Sequence, residues 1–175
     1  LPLANGLVFT RVPIAPLIAE GETSMRFGEL FRSKFFWLIM LMMFCSGASE
    51  QAVSQWASTF AEKGLGVSKT IGDLTGPTIF SLLMASSRLL YGKYGEKLNL
   101  SRAIFFSGLL CAASYLLIGL TDSPIAGLAG VGLCGFSVGV FWPGTFSTAA
   151  AALTRGGTAM FALLALAGDL GCSAG

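Results

Sequence analysis

Long apolar runs separated by short charged clusters organise the chain. Residues 35–49 carry no charge, and the apolar character continues more weakly to Phe60. A second run, 74–87, lies between Asp73 and Arg88, and a third, 103–121, between Arg102 and Asp122. A fourth covers 123–154, and a fifth, 156–175, is broken only by Asp169. A membrane helix needs about 20 mostly apolar residues. The third and fourth runs satisfy this outright. The first, second and fifth do so by carrying a polar or charged group at depth. The pattern predicts five spans, at about 35–60, 70–91, 102–121, 124–150 and 158–175. These form an all-α membrane bundle over residues 34–175.

Local signals mark the same boundaries. In Thr121-Asp122-Ser123-Pro124, Asp or Ser is a helix cap and Pro stands in the following first turn. Ser101 is a candidate cap for the third span, and Ser68 or Thr70 for the second. Gly156-Gly157 parts the fourth span from the fifth. Phe141-Trp142-Pro143-Gly144 predicts a kink, because Pro removes a helix hydrogen bond and Gly loosens the turn. Gly135 and Gly139, Gly171 and Gly175, and the similar pair Ala126 and Gly130 stand at helix-contact spacing, where small residues let backbones approach. The third span carries only Ser107, Ser114 and Tyr115 as polar groups before its closing Thr121, and is expected to face lipid.

Composition agrees. Of 175 residues, 54% are hydrophobic and 11% charged, less than half the usual charged share of a soluble domain. A net charge of +2 is too small for a nucleic-acid-binding field. There is no His, which excludes a histidine-bound zinc site. Cys45, Cys111, Cys134 and Cys172 lie in apolar stretches without metal-ligand spacing and read as packing residues. No cofactor, metal ligand or catalytic residue is predicted.

Charge also orients the rods. The leading segment holds Arg11, Arg26, Arg32 and Lys34; the third connection holds Arg88, Lys93, Lys97 and Arg102; the fifth holds Arg155. The second connection has only Lys63 and Lys69, and the fourth has none. The positive-inside rule places the nine on the first, third and fifth connections in the cytoplasm. Residues 1–33 are then a cytoplasmic connecting segment. Its start, residues 1–19, is apolar but interrupted by Arg11, Pro13 and Pro16, as at the end of a preceding span. Glu20, Glu22, Arg26, Glu29 and Arg32 suggest a short amphipathic helix at the membrane surface. The chain opens Leu1-Pro2 without Met or a basic leader, and ends in an apolar run. We expect a piece of a longer protein, without a signal peptide.

Ionisable residues at depth are costly and point to function. Glu50 lies 16 residues past Lys34, roughly 24 Å into a core about 30 Å thick. Asp169 falls near the midplane. Neither is expected to have a basic partner at its depth. At about 100° per residue, Gly47, Glu50, Gln51, Ser54, Gln55 and Ser58 share one arc of the first span. Such an arc suits a helix facing a wet path or a polar substrate; alternatively, the glutamines bond a neighbouring helix. Asp169 either takes a proton or bonds a neighbouring helix. Trp142 either stacks on a ligand or sits in the cytoplasmic aromatic belt, where Trp37 is expected.

The connection Ser87-Arg88-Leu89-Leu90-Tyr91-Gly92-Lys93-Tyr94-Gly95-Glu96-Lys97 resembles the basic, glycine-containing loop of the major facilitator superfamily. Lys93, Gly95 and Lys97 fit that pattern; Gly92 replaces its Asp, and Glu96 an Arg. The polar first span, the glycine-rich fourth and Ala165-Leu166-Ala167-Gly168-Asp169-Leu170-Gly171 are similar to helices of one half of such a transporter. The resemblance covers about residues 20–175. It implies spans seven to eleven of a twelve-span secondary transporter in a bacterial inner membrane, partnered by an N-terminal half. Sugar or small-metabolite permeases are the nearest group. Alternating access would then move a small polar solute bound by Glu50, Gln51, Ser54, Gln55 and Trp142. Glu50 or Asp169 would carry a coupling proton, and Arg88, Lys93 and Lys97 would form the cytoplasmic gate.

Two alternatives remain open from the residues. One is a membrane pore or structural subunit. The other is an intramembrane hydrolase using Glu50 and Asp169 as an acid pair. The sequence before Asp169 lacks the first Gly of the Gly-x-Gly-Asp signature. Gly135-Phe136-Ser137-Val138-Gly139 lies within a helical run, with no His to activate Ser137.

Overall fold

The computed structural model describes residues 6, 8, 10–12, 23–64 and 66–175. Pro13, Pro16, Glu20 and Glu22, with most of the apolar start, lie outside the described residues. A short helix α1 (Phe27–Arg32) occupies the end of the predicted amphipathic stretch. Ser33 then caps α2 (Lys34–Thr59), its hydroxyl accepting from the Phe36 amide at 3.3 Å. A wider π turn, Phe60–Gly64, ends that rod. Next come α3 (Lys69–Tyr94), a 3-10 turn (Gly95–Lys97), α4 (Leu100–Leu120), α5 (Pro124–Val138), α6 (Phe141–Ala152) and α7 (Gly157–Ala174).

The expected turns hold, with one change of cap. Ser123 precedes Pro124 at the start of α5, and Gly156 precedes α7. Gly157 has φ +59, a left-handed conformation that glycine adopts without a Cβ penalty. Asn99, not Ser101, caps α4, accepting from the Arg102 amide at 3.1 Å. Ser68 stands at the N-cap position of α3.

The fourth predicted span is one rod broken in the middle. Its helix stops at Val138 and resumes at Phe141. The break lies four residues before Pro143 because Pro143 has no N–H to offer the Gly139 carbonyl. Helical bonding resumes where the Gly144 amide donates to Val140 at 2.8 Å.

Among the described residues, four rods are long and apolar enough to cross a membrane: Lys34–Gly64, Leu100–Leu120, Pro124–Ala152 and Gly157–Ala174. Five were expected. The remaining rod, α3, has 26 residues and is long enough, at about 39 Å. Its Lys69, Asp73, Arg88 and Lys93, with several Thr and Ser, make it more polar than the others.

Glycines set the packing. A Cβ on Gly135 would meet the Phe80 carbonyl, and one on Gly139 would lie 2.8 Å from the Met84 oxygen. Helices α3 and α5 therefore run parallel in near backbone contact. In the same way Gly171 abuts Phe44, and Gly175 abuts Ala48, so α2 and α7 are parallel. Gly76 against Ala57 makes α2 and α3 antiparallel with Gly72 against Ser58, and Gly130 against Ile118 joins α4 to α5. Rods adjacent in sequence thus alternate in direction. The predicted contact pairs, including that of Gly130, are real close approaches.

Two apolar clusters fill the bundle. Phe36, Ile39 and Met43 of α2 meet Ala149 of α6 and Met160, Leu164 and Ala167 of α7. Val53 and Ala57 of α2 meet Phe80 of α3, Cys111 of α4, and Val131, Cys134 and Val138 of α5. All four cysteines are free thiols, and Cys111 and Cys134 are buried packing groups, as expected. Helix α4 buries only Cys111 and Ser114, while Phe105, Phe106, Leu109, Leu116 and Leu120 stay exposed. It is the peripheral rod its sequence predicts.

The basic ends gather on one side. The Arg155 Nε donates to the Thr23 carbonyl at 3.2 Å, and the Met25 amide donates to the Arg155 carbonyl at 2.8 Å. The Tyr91 and Ser147 hydroxyls lie 2.9 Å apart, joining α3 to α6 near that end.

Candidate functional site

The polar arc of α2 does not form one open wall. Neighbouring helices take up its edges. Gly47 is buried, and a Cβ there would strike the Gly168 carbonyl of α7. The Ser58 hydroxyl donates to the Asp73 carboxylate of α3. Between them, Gln51 Nε2 donates to Gln55 Oε1 at 2.7 Å, and the Ser54 hydroxyl donates to the Gln51 carbonyl at 3.3 Å. The glutamines therefore bond each other along α2 and not a neighbouring helix.

Glu50 has a partner that the linear sequence conceals. The Arg88 guanidinium of α3 stands 3.6 Å from Glu50 Oε1. The expectation that Glu50 lacks a basic partner is corrected. Arg88 was counted with the third connection, yet α3 continues past it to Tyr94. Its long side chain reaches back along the antiparallel pair toward the acid. Glu50 is 22% exposed and Arg88 44%.

The pair leaves polar capacity unused. Glu50 Oε2 is buried without a hydrogen-bond partner. So are the hydroxyls of Ser46 and Ser87 and the indole Nε1 of Trp142. Ser46 precedes Glu50 by one helical turn. Ser87 adjoins Arg88 and packs on Gly139, and Trp142 follows Gly139 by three residues. An unpaired buried polar atom typically costs about 1–3 kcal/mol, so four on adjoining helices form a site short of partners.

Trp142 belongs to the interior. Its ring lies over Gly168, where a Cβ would approach within 2.7 Å of Cζ2. It also packs near Phe146, with centroids 6.1 Å apart. Gly168 is 11 residues into α7, roughly 17 Å from its N-terminal end. Trp142 thus packs against the middle of α7 and not against one of its ends. Trp37 does sit exposed in the first turn of α2, its Nε1 donating to the Phe31 carbonyl at 2.9 Å.

Asp169 follows Gly168 but faces outward and is exposed. The structure does not bring it into the Glu50–Arg88 pair. Lys93 lies 5.4 Å from the centre of the Tyr94 ring, and Lys97 closes the 3-10 turn after α3. Both mark the basic end of the bundle, away from Glu50.

A cavity of about 380 Å³ opens beside the arc, between α2 and α4 over α6. Ser46, Ser49, Cys111, Tyr115 and Thr145 are among its walls, and the Tyr115 hydroxyl donates to the Ser49 carbonyl at 2.9 Å. None of Glu50, Gln51, Ser54, Gln55 and Trp142 lines it. Ser46, Ser87 and Tyr115 were not singled out as site residues. A serine or tyrosine in an apolar run carries no periodic signal of its own, so only the packing reveals its surroundings.

Comparison with curated proteins and with solved structures returns no match. The family model of the Major Facilitator Superfamily matches residues 4–175. With its apolar membrane-length rods, the chain is therefore an integral membrane protein and belongs to the major facilitator superfamily of secondary transporters.

Proposed function

We propose that the chain is the C-terminal half of a proton-coupled carrier for a small polar solute, such as a sugar. The observation that carries this reading is the Glu50–Arg88 pair with Glu50 Oε2 buried and unsatisfied. Intramembrane acids are expensive unless they bind an ion, a proton or a partner. Protonation gives Glu50 a donor and cancels its attraction for Arg88. The freed guanidinium then moves with α3, whose basic end carries Lys93 and Lys97 of the cytoplasmic gate. Gln51, Ser54, Gln55 and the Trp142 indole offer hydrogen bonds to the solute. The exposed Asp169 faces the partner N-terminal half and is the second candidate for the coupling proton. Helix α3 crosses with the other four rods, because both its neighbours run antiparallel to it. The nine basic residues of the first, third and fifth connections support a cytoplasmic side for residues 1–33, at a bacterial inner membrane.

The test is transport by the full-length protein in vesicles. Glu50→Gln loses gradient-driven uptake and keeps counterflow exchange. Unchanged pH dependence of uptake in that variant overturns the proton role. Uptake that fails to saturate with solute overturns the carrier reading in favour of a pore.

A further inference from the structure

A second groove lies at the basic end, between α3, α4 and α5. Leu90, Tyr91 and Tyr94 of α3, Ala103 of α4 and Phe136 of α5 wall it, with Leu98 from the connection. Its volume is about 320 Å³, and its walls are almost wholly apolar. Ser87 also lines it. That serine is 2% exposed, and its hydroxyl has no hydrogen-bond partner. The segments that wall it carry exposed cations: Lys93 lies 5.4 Å from the centre of the Tyr94 ring, and Lys97 and Arg102 stand next in sequence to Leu98 and Ala103.

An apolar slot with one unsatisfied hydroxyl inside and three exposed cations on the segments that wall it matches one class of molecule. We propose that this groove binds a single anionic phospholipid. The acyl chain lies along Leu90, Tyr94 and Phe136. The headgroup phosphate meets Lys93, Lys97 and Arg102. Ser87 is six residues deeper than Lys93 on α3, about 9 Å. At that depth its hydroxyl donates to an ester carbonyl of the same lipid. A zwitterionic lipid fills the slot equally well but brings no net charge to these cations. Basic residues near a membrane surface each favour anionic lipid by about fivefold. The site therefore selects by headgroup and holds by chain.

Native mass spectrometry of the full-length protein, released from detergent with equal palmitoyl-oleoyl phosphatidylglycerol and phosphatidylcholine, tests this directly. The expected result is one retained phosphatidylglycerol, preferred at least tenfold. The triple variant Lys93→Gln, Lys97→Gln, Arg102→Gln brings the preference close to one. Ala103→Trp fills the slot and loses the bound lipid with the three charges intact. A phosphatidylglycerol carrying a diazirine in its acyl chain labels the unmutated protein within residues 87–103 or at Phe136, which covers the case of a variant that fails to fold. Equal retention of the two lipids, undiminished preference in the triple variant, or labelling confined to other helices overturns the proposal. Retention is read without transport, so its outcome is separate from that of the carrier assay.

Discussion

Replacing Gly135 by Ala adds one methyl group where α3 and α5 touch backbone to backbone. Phe80 provides the opposing surface, with its carbonyl carbon 3.0 Å and its Cα 3.1 Å from the new Cβ, and its oxygen nearer still. Main-chain atoms cannot rotate aside as a flexible side chain would, so the helices must separate. Separation thins the contacts of Phe80, Val131 and Cys134 in the second apolar cluster. Overpacking of this kind costs about 1–3 kcal/mol. Gly108→Ala on α4 is the matched control, since nothing lies within 4 Å of its Cβ. Alanine there gains helix propensity of about 0.5–1 kcal/mol. The two variants make the same chemical change, so helix propensity favours both and only the packing differs. Thermal unfolding in detergent, followed by size-exclusion fluorescence, should show Gly135→Ala melting below wild type and Gly108→Ala at or above it. Equal melting of the two variants would refute the close approach of α3 and α5.

Other consequences follow from single contacts. Arg88→Gln leaves the Glu50 carboxylate without its counter-ion and should destabilise more than the double change with Glu50→Gln; a double-mutant cycle should give coupling of about 1 kcal/mol, since both groups are partly exposed. Asp73→Asn weakens the link from Ser58 that ties α2 to α3, and should cost about 1 kcal/mol by denaturant unfolding. Pro143→Ala lets the Gly139 carbonyl recover a helical bond, so solute turnover should fall while thermal stability does not. In a background with the four cysteines changed to serine, an impermeant maleimide should label Gly66→Cys and Asp122→Cys from outside and Lys97→Cys only after permeabilisation. Labelling of Gly66→Cys and Lys97→Cys from the same side would show that α3 does not cross.

Four of the five expected rods were legible in one dimension as long apolar helices. A bilayer penalises each charge at depth, so the spacing of Lys34, Arg102 and Asp122 bounds helices wherever those helices pack. The turn at Pro124, the break before Pro143 and the contact glycines were also local facts, because each depends on the backbone freedom of its own residue. The second span was the exception. Its polar residues blur the hydropathy signal, so composition alone does not mark it as a membrane-length apolar rod.

Partnership was not legible. Glu50 and Arg88 are 38 positions apart, and nothing periodic links them. Their meeting depends on how α2 and α3 are rotated about their axes and on how far an arginine reaches along an antiparallel neighbour. The same holds for Trp142, whose place over Gly168 follows from α6 leaning on α7. A hydrophobic pattern specifies which face of a helix is apolar, to within a wide arc. Only interlocking of side chains across helices, at ångström precision, selects which polar atom meets which, and leaves Glu50 Oε2, Ser46, Ser87 and Trp142 Nε1 without partners.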